Sequence, residues 1–470
     1  MLDRLGDFAR TVGLPAAKRA AGWVTRVLPI PQPTLLIGPG ASARLGQAIS
    51  GFGHRRIMLV TDPIVARLGL TAPLMQGLGA DRLGAAEHVV VFDEITPDAP
   101  IPVIEKGSEV FRDAGCDALV AIGGGSVIDA AKAIGMAAAN RKHPRELVGY
   151  FRGRYAPPPI YAVPTTAGTG SEVTVAAVIS DPQRETKLVI ADTRLVPKMA
   201  ALDPELMVGL PREVTAASGM DALTHAIEAF IGYWGTRFTD RMALAAVGMI
   251  YENLPRACEH GSDLAAREKM ALASTYAGLA FTRANVGNVH AIAHQLGGKY
   301  HTPHGLANAI MLPHVLRFSG DAITGKLATL ARHVKLGGAD EPEAQLAQKF
   351  LDSIDALSRR IGIPRTLDAL REEDIPQLAR AACREADFNY PVPRVMSQQD
   401  CEALLRAVLP EKKAPARTRK TAAGTRKRRP SSSRSAAEPA NREPGKRARN
   451  GGAGSDTREA LHRAAGSRRG

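Results

Sequence analysis

The sequence predicts an α/β first half built on a parallel sheet, an all-helical second half and a disordered basic tail. Three observations predict it. From about residue 33, β-branched runs of strand length alternate with helical patterns, as in a doubly wound sheet. After about residue 210, alanine-rich segments of helical period take over. Beyond residue 410, Leu461 is the only apolar side chain larger than alanine apart from proline. That is too little to offset the entropy of ordering the segment.

In chain order, residues 1–32 form a mildly basic, amphipathic extension. Asp3 and Asp7 interrupt it, so it lacks the apolar stretch of a signal peptide. The α/β domain spans 33–208, with strands in "TLLIG", "RIMLVTD", "HVVVFDE" and "CDALVAIGGG". Between them, "IPVIEKGSEVFRDAG" repeats apolar residues at intervals of three and four. "VTVAAVISDPQRETKLVIAD" reads as two extended runs around a turn at Asp181-Pro182. The helical domain spans 209–408, from "PREVTAASGMDALTHAIEAF" to "QQDCEALLRAVL". A ligand cleft is expected between the two domains. The tail spans 409–470.

Composition narrows the function. The 45% apolar content is that of a full-sized core, and 4% aromatics argue against a base-stacking platform. The net charge of +14 is concentrated in the tail. Residues 411–470 hold 18 Lys+Arg against 5 Asp+Glu, leaving 43 against 42 in the first 410. Weak, salt-dependent polyanion binding is therefore a property to expect of the tail alone. Cys116, Cys258, Cys383 and Cys401 form no C-x-x-C, which fits a reducing cytoplasm. No apolar run approaches the ~18 residues of a membrane span.

Two glycine-rich stretches compete for a phosphate. "GPGASA", Gly38 to Ala43, follows a strand and matches G-x-G-x-x-A, with Asp62 about twenty residues on. "GGGSVIDAAKAI" begins at Gly123 and also follows a strand. Gly123, Gly124 and Gly125 allow close approach, and a following helix offers free N–H groups. "PTTAGTGSEVT", Pro164 to Thr174, adds a hydroxyl-rich loop suited to phosphate and ribose. A turn is the plain alternative for each stretch. Together, in an α/β domain, they favour a dinucleotide.

The histidines point elsewhere. Asp221 and His225 in "GMDALTHAIEAF" lie one helical turn apart, and His290 and His294 in "HAIAH" repeat that spacing. "YHTPHG" reads as a loop carrying His301 and His304. A carboxylate with several imidazoles and no thiolate suits Fe2+ or Zn2+. "HAIAH" lacks the glutamate of H-E-x-x-H, which removes the metalloprotease reading.

In this order, "GGGSVIDAAKAI", "VPTTAGTGSEVT", "DPELMVGLP", "GMDALTHAIEAF" and "HAIAHQLGGKYHTPHGLANAIMLPHVLRF" resemble the iron-containing (group III) alcohol dehydrogenase family. The resemblance covers roughly residues 33–408. It implies a dinucleotide-binding α/β domain and a metal-binding helical domain. It implies that Asp221, His225, His290 and His304 hold Fe2+, with Zn2+ as the alternative. His294 would handle the proton, and His301 stays outside the ligand set. Gly123, Gly124, Gly125, Ser126 and Asp129 would hold the cofactor, which decides against "GPGASA". Thr165, Thr166, Thr169 and Lys187 would line the rest of its channel. Asp62 would accept the adenosine ribose hydroxyls, where a carboxylate repels a 2′-phosphate, so NAD is expected over NADP.

The implied reaction is hydride transfer between a small alcohol and nicotinamide C4, reversible to an aldehyde or ketone, in a homodimer or higher homo-oligomer. A maleylacetate reductase-like enzyme is one alternative. A sugar-phosphate cyclase resembling dehydroquinate synthase is another, but its metal set uses glutamate where this chain has "DALTH". Polyanion binding through the tail is the non-enzymatic alternative. Three departures from the family pattern stand out. "ITPDAP" replaces an asparagine-containing loop, "RFSG" puts Ser319 where asparagine is common, and the first thirty and last sixty residues have no counterpart in the core pattern.

Overall fold

The computed structural model describes residue 22 and residues 27–79 and 88–410. Residues 411–470, expected to form a disordered tail able to bind polyanions, and most of the N-terminal extension lie outside the described residues.

Nine strands are described: β1 (Thr34–Ile37), β2 (Ile57–Val60), β3 (Val89–Phe92), β4 (Ala118–Gly123), β5 (Gly149–Tyr150), β6 (Ile160–Pro164), β7 (Ala176–Asp181), β8 (Thr186–Ala191) and β9 (Met199–Leu202). Six form one sheet in the order β1-β9-β6-β4-β2-β3, with every pairing parallel. β2 and β4 are buried at every position, as central parallel strands with both faces covered must be. The edge strands β1 and β3 are only partly covered. β7 and β8 form the expected hairpin, and β5 pairs with β8 in a second, three-stranded sheet.

The sequence reading did not include β6, "IYAVP", or β9, "MAAL". Both are short and adjoin prolines. Their backbones become strands because β6 pairs with β4, and β9 bridges β6 and β1.

Among the described residues, five helices cover this sheet: α1 (Ala41–Ser50), α2 (Pro63–Arg67), α3 (Ala72–Gly77), α4 (Ile101–Asp113) and α5 (Gly125–Asn140). From β2 the chain moves outward to β3, then returns to β4 on the other side of β2. The connections therefore diverge between β2 and β4. At such a point the carboxyl ends of parallel strands open a crevice for ligand. Asp62 follows β2 there, and Gly123 ends β4 with Gly124 and Gly125 directly after it.

Nine helices make up the second half: α6 (Arg212–Ile231), α7 (Arg237–Glu259), α8 (Leu264–Ala284), α9 (Asn288–Tyr300), α10 (His304–Ser319), α11 (Thr324–His333), α12 (Glu343–Ile361), α13 (Ile375–Asn389) and α14 (Gln398–Arg406), counted among the described residues. Asp263 caps α8 by accepting from Ala266 N, and a Thr236/Thr239 box caps α7. α6 is buried continuously from Gly219 to Ile231 and packs against α7, α8 and α10. Any polar side chain on that stretch therefore needs a partner inside the protein. The expected "YHTPHG" loop is shorter than the sequence suggests. Only His301 to Pro303 are non-helical, and His304 opens α10 behind the extended Pro303.

Candidate metal centre and cofactor crevice

α6 places Asp221, His225 and Glu228 on one stripe, at i, i+4 and i+7. α9 brings His290, and the first residue of α10 brings His304. Gly305 allows this approach, because a β-carbon there would lie 2.4 Å from Ala217 O on α6. One ligand atom from each of Asp221, His225, His290 and His304 lies within 4.8 Å of all the others. Asp221 Oδ1 is 3.6 Å from His304 Nε2 and 4.0 Å from His290 Nε2. Asp221 Oδ2 is 3.9 Å from His225 Nδ1.

The donor set fits a divalent cation. His225 Nδ1 is buried beside Asp221 with no hydrogen-bond partner. Proteins rarely leave such an atom unsatisfied, and a cation would satisfy it. Burial holds His225 down to about 4 and His290 down to about 3, and it holds His304 well below its ordinary range. All three imidazoles are therefore neutral at pH 7, with lone pairs available.

A second layer fixes these groups. Glu228 accepts from the Gly287 and Val289 N–H groups at 2.8 and 2.7 Å, and its Oε2 lies 2.6 Å from His290 Nδ1. With Nδ1 engaged by a carboxylate, Nε2 is the nitrogen left for a metal. Burial pushes the Glu228 carboxyl up to about 7, against the pull of those two N–H donors. Phe281 stacks on His225 at 4.2 Å. Asn308 Nδ2 lies 2.7 Å from Asp221 Oδ1, 3.1 Å from His290 Nε2 and 3.2 Å from His304 Nε2. It is a neutral donor sharing the acceptors that a cation would use.

His294 is next to this cluster but not in it. Its ring stacks on His304 at 5.3 Å, and its Nδ1 lies 2.6 Å from Glu385 Oε1. Tyr390 and Gln295 also donate to Glu385, at 2.5 and 2.7 Å. His301 ends α9 in left-handed geometry, exposed and outside the cluster.

The two glycine turns differ sharply. At α1, Asp203 Oδ2 accepts from Ser42 N and Oγ at 3.0 and 2.6 Å, and Glu205 accepts from Gly40 N at 3.0 Å. Two carboxylates of the protein already cap this helix, so a phosphate would meet negative charge. α5 has no side-chain cap. Thr165 N donates to Gly123 O at 3.0 Å, laying the threonine loop over this turn. A β-carbon on Gly125 would lie 2.5 Å from Thr169. Thr166 is half-buried beside Gly124.

Other expected cofactor residues lie around this turn. Ser126 Oγ accepts from Asp98 N at 3.1 Å, and Lys187 Nζ lies 2.9 Å from Asp98 Oδ1. Asp62 Oδ1 caps α2 by accepting from Ile64 N and Val65 N, and neither bond uses Oδ2. Asp129 is engaged within the protein at both oxygens. Ser171 Oγ donates to Oδ1, and Val178 N donates to Oδ2 at 2.9 Å.

Comparison with known proteins decides the family. A model of the family "Iron-containing alcohol dehydrogenase" matches residues 32–204, and one of its C-terminal part matches 215–409. The NAD-dependent methanol dehydrogenase of Bacillus methanolicus is 37% identical over 379 residues, covering 80% of this chain and 98% of that protein. The chain belongs to the iron-containing alcohol dehydrogenase family. It is an oxidoreductase. The lactaldehyde reductase of Escherichia coli (strain K12) is 38% identical over 355 residues, covering 74% of this chain and 91% of that one. A crystal structure of 1,3-propanediol oxidoreductase superposes with a TM-score of 0.77 at 37% identity, covering 81% of this chain and all of that one.

The structure adds residues of this dehydrogenase that the sequence reading missed. Glu228 continues the Asp221/His225 spacing by one more turn, a visible signal. Asn308 stands four residues after His304 on α10. Lys132 is a charge in an otherwise apolar stretch of α5 and is fully buried. Its Nζ reaches Ser171 O, Thr174 O and Ala176 O at 2.7, 3.0 and 2.8 Å, plus the Ser171 and Thr174 hydroxyls, so it pins the threonine loop. Burial lowers its ammonium to about 8. Glu385 had no signal, because α13 lies some ninety residues from His294.

Proposed function

We propose that the enzyme interconverts small alcohols and their aldehydes or ketones by hydride exchange with NAD, using a divalent cation held by Asp221, His225, His290 and His304. The observation that carries this reading is the convergence of four ligand atoms within 4.8 Å, drawn from three helices. Three imidazoles and one carboxylate suit iron, with zinc the alternative. A cation there supplies a Lewis acid for the alcohol or carbonyl oxygen, and NAD supplies the hydride acceptor. The rest is done by the chain. Glu228 orients His290, and burial keeps the imidazoles neutral. The open N-terminus of α5, Gly123 to Ser126, would hold the diphosphate, with Thr165, Thr166 and Thr169 beside it. Asp62 Oδ2, which the helix cap does not use, would accept from a ribose hydroxyl, which supports NAD over NADP. With His294 Nδ1 on Glu385, Nε2 is the atom left to receive or return a proton.

The relatives are named for methanol, 1,3-propanediol and lactaldehyde, which supports a short alcohol or aldehyde as substrate. Protein prepared without oxygen would be assayed for metal and for NADH consumption with aldehydes, ketones and unsaturated oxo acids. Turnover of oxo acids alone would favour the maleylacetate reductase-like reading. His290→Ala is expected to lose both metal and turnover, with NADH affinity changed by less than about threefold. Full turnover by that variant without metal would refute the ligand assignment.

The division into a cofactor-binding domain over 33–208 and a metal-binding domain over 209–408 follows from the same reading. A cytoplasmic location is supported by four cysteines that are all free; among the described residues no helix is long and apolar enough to cross a membrane. Deleting residues 411–470 should leave the rate with a small alcohol intact and abolish any salt-sensitive retention on nucleic acid.

A further inference from the structure

We propose that Asp98 is a built-in competitor of the cofactor's diphosphate, pairing with Lys187 beside the open N-terminus of α5 and so weakening NAD(H) binding. The inference rests on the reading of that turn as the diphosphate site.

Asp98 lies in "ITPDAP", the segment between β3 and α4. Its N–H donates to Ser126 Oγ, so the segment is docked on the first turn of α5. Its Oδ1 is 2.9 Å from Lys187 Nζ, which projects from β8. The Lys187 side chain is 11% exposed and that of Asp98 32%, so the pair sits at the mouth of the crevice with part of its water removed.

The carboxylate is held there rather than swinging at the surface. Asp98 and Ala99 both have left-handed backbones, with φ of 68° and 46°. Successive non-glycine residues seldom adopt that conformation unless neighbours impose it. Ala99 is fully buried, and its carbonyl accepts from Ser180 N at 3.2 Å.

The electrostatics follow from this placement. The α5 N-terminus favours an anion, and Lys187 is the ammonium beside it. Lys132 does not serve that purpose, because five oxygens behind the loop surround it. Asp98 cancels the Lys187 charge and adds a negative group next to Ser126. An arriving diphosphate must displace this carboxylate from Lys187 or bind against it. The enzyme gives up cofactor affinity and gains faster release.

The test is direct titration of NADH and of ADP-ribose into the purified chain. Asp98→Asn keeps the shape, removes the charge and tolerates the left-handed backbone. It is expected to tighten both ligands roughly tenfold. In a Lys187→Met background the same change should gain no more than about threefold, because most of the effect runs through the ammonium. Thermal melts confirm that each variant is folded. Unchanged or weaker binding by Asp98→Asn overturns the inference while leaving the cofactor site standing. A tenfold gain that persists in full without Lys187 overturns the pairing. Failure of the unaltered chain to bind NADH overturns the functional reading itself.

Discussion

Two glycine-rich turns, at α1 and at α5, look alike in sequence and differ in what surrounds them. Both follow a parallel strand and open a helix. β1 is at the sheet edge, where Asp203 and Glu205 fold back and take the first N–H groups of α1. β4 is central, at the divergence of the connections, and its turn meets the threonine loop and the Asp98 segment, with no side chain accepting from the first N–H groups of the helix. A glycine motif therefore keeps its N–H groups available to an anion only where the protein leaves them without a carboxylate partner. Position in the sheet decides that, since only a central strand end opens into the crevice.

This contrast can be broken by substitution. Gly125→Val should have the largest effect, because even a β-carbon would lie 2.5 Å from Thr169. NADH affinity measured by titration should fall roughly a hundredfold. Unchanged affinity would place the diphosphate elsewhere. Asp203→Ala comes next. It strips the Ser42 N–H and hydroxyl of their acceptor and should cost about 2 kcal/mol in denaturant unfolding. NADH affinity should stay within about twofold; a large loss would make α1 the binding turn after all. Gly40→Ala is the mildest. Gly40 has φ of 70°, and a β-carbon there would meet only the Arg44 side chain, at 3.7 Å, so alanine should cost about 1 kcal/mol of stability and nothing in binding.

Much of the site was legible because helical spacing is a local rule. Asp221 and His225 had to share a face once α6 formed, and so did His290 and His294 on α9. Spacing alone did not separate ligand from neighbour. His294 turns to Glu385 while His290 joins the cluster, because a carboxylate of α13 engages one and Glu228 of α6 the other. Asp62 shows the opposite ambiguity, capping a helix with one oxygen while standing at the crevice with the other. Asp98 was visible only as an unusual residue in a loop. That it faces Lys187, 89 residues away, is a fact of packing.

By itself, the sequence determined which segments alternate and which turn helical, and which donors stand one turn apart. Those properties depend on backbone periodicity and side-chain chemistry within a few residues. Only the tertiary structure decided that β6 and β9 complete the sheet, that Glu228 and Asn308 surround the Asp221, His225, His290 and His304 cluster, and that one glycine turn is capped while the other is open. These outcomes depend on segments far apart in the chain, which meet because burying their apolar faces leaves each polar group to find a partner inside the protein.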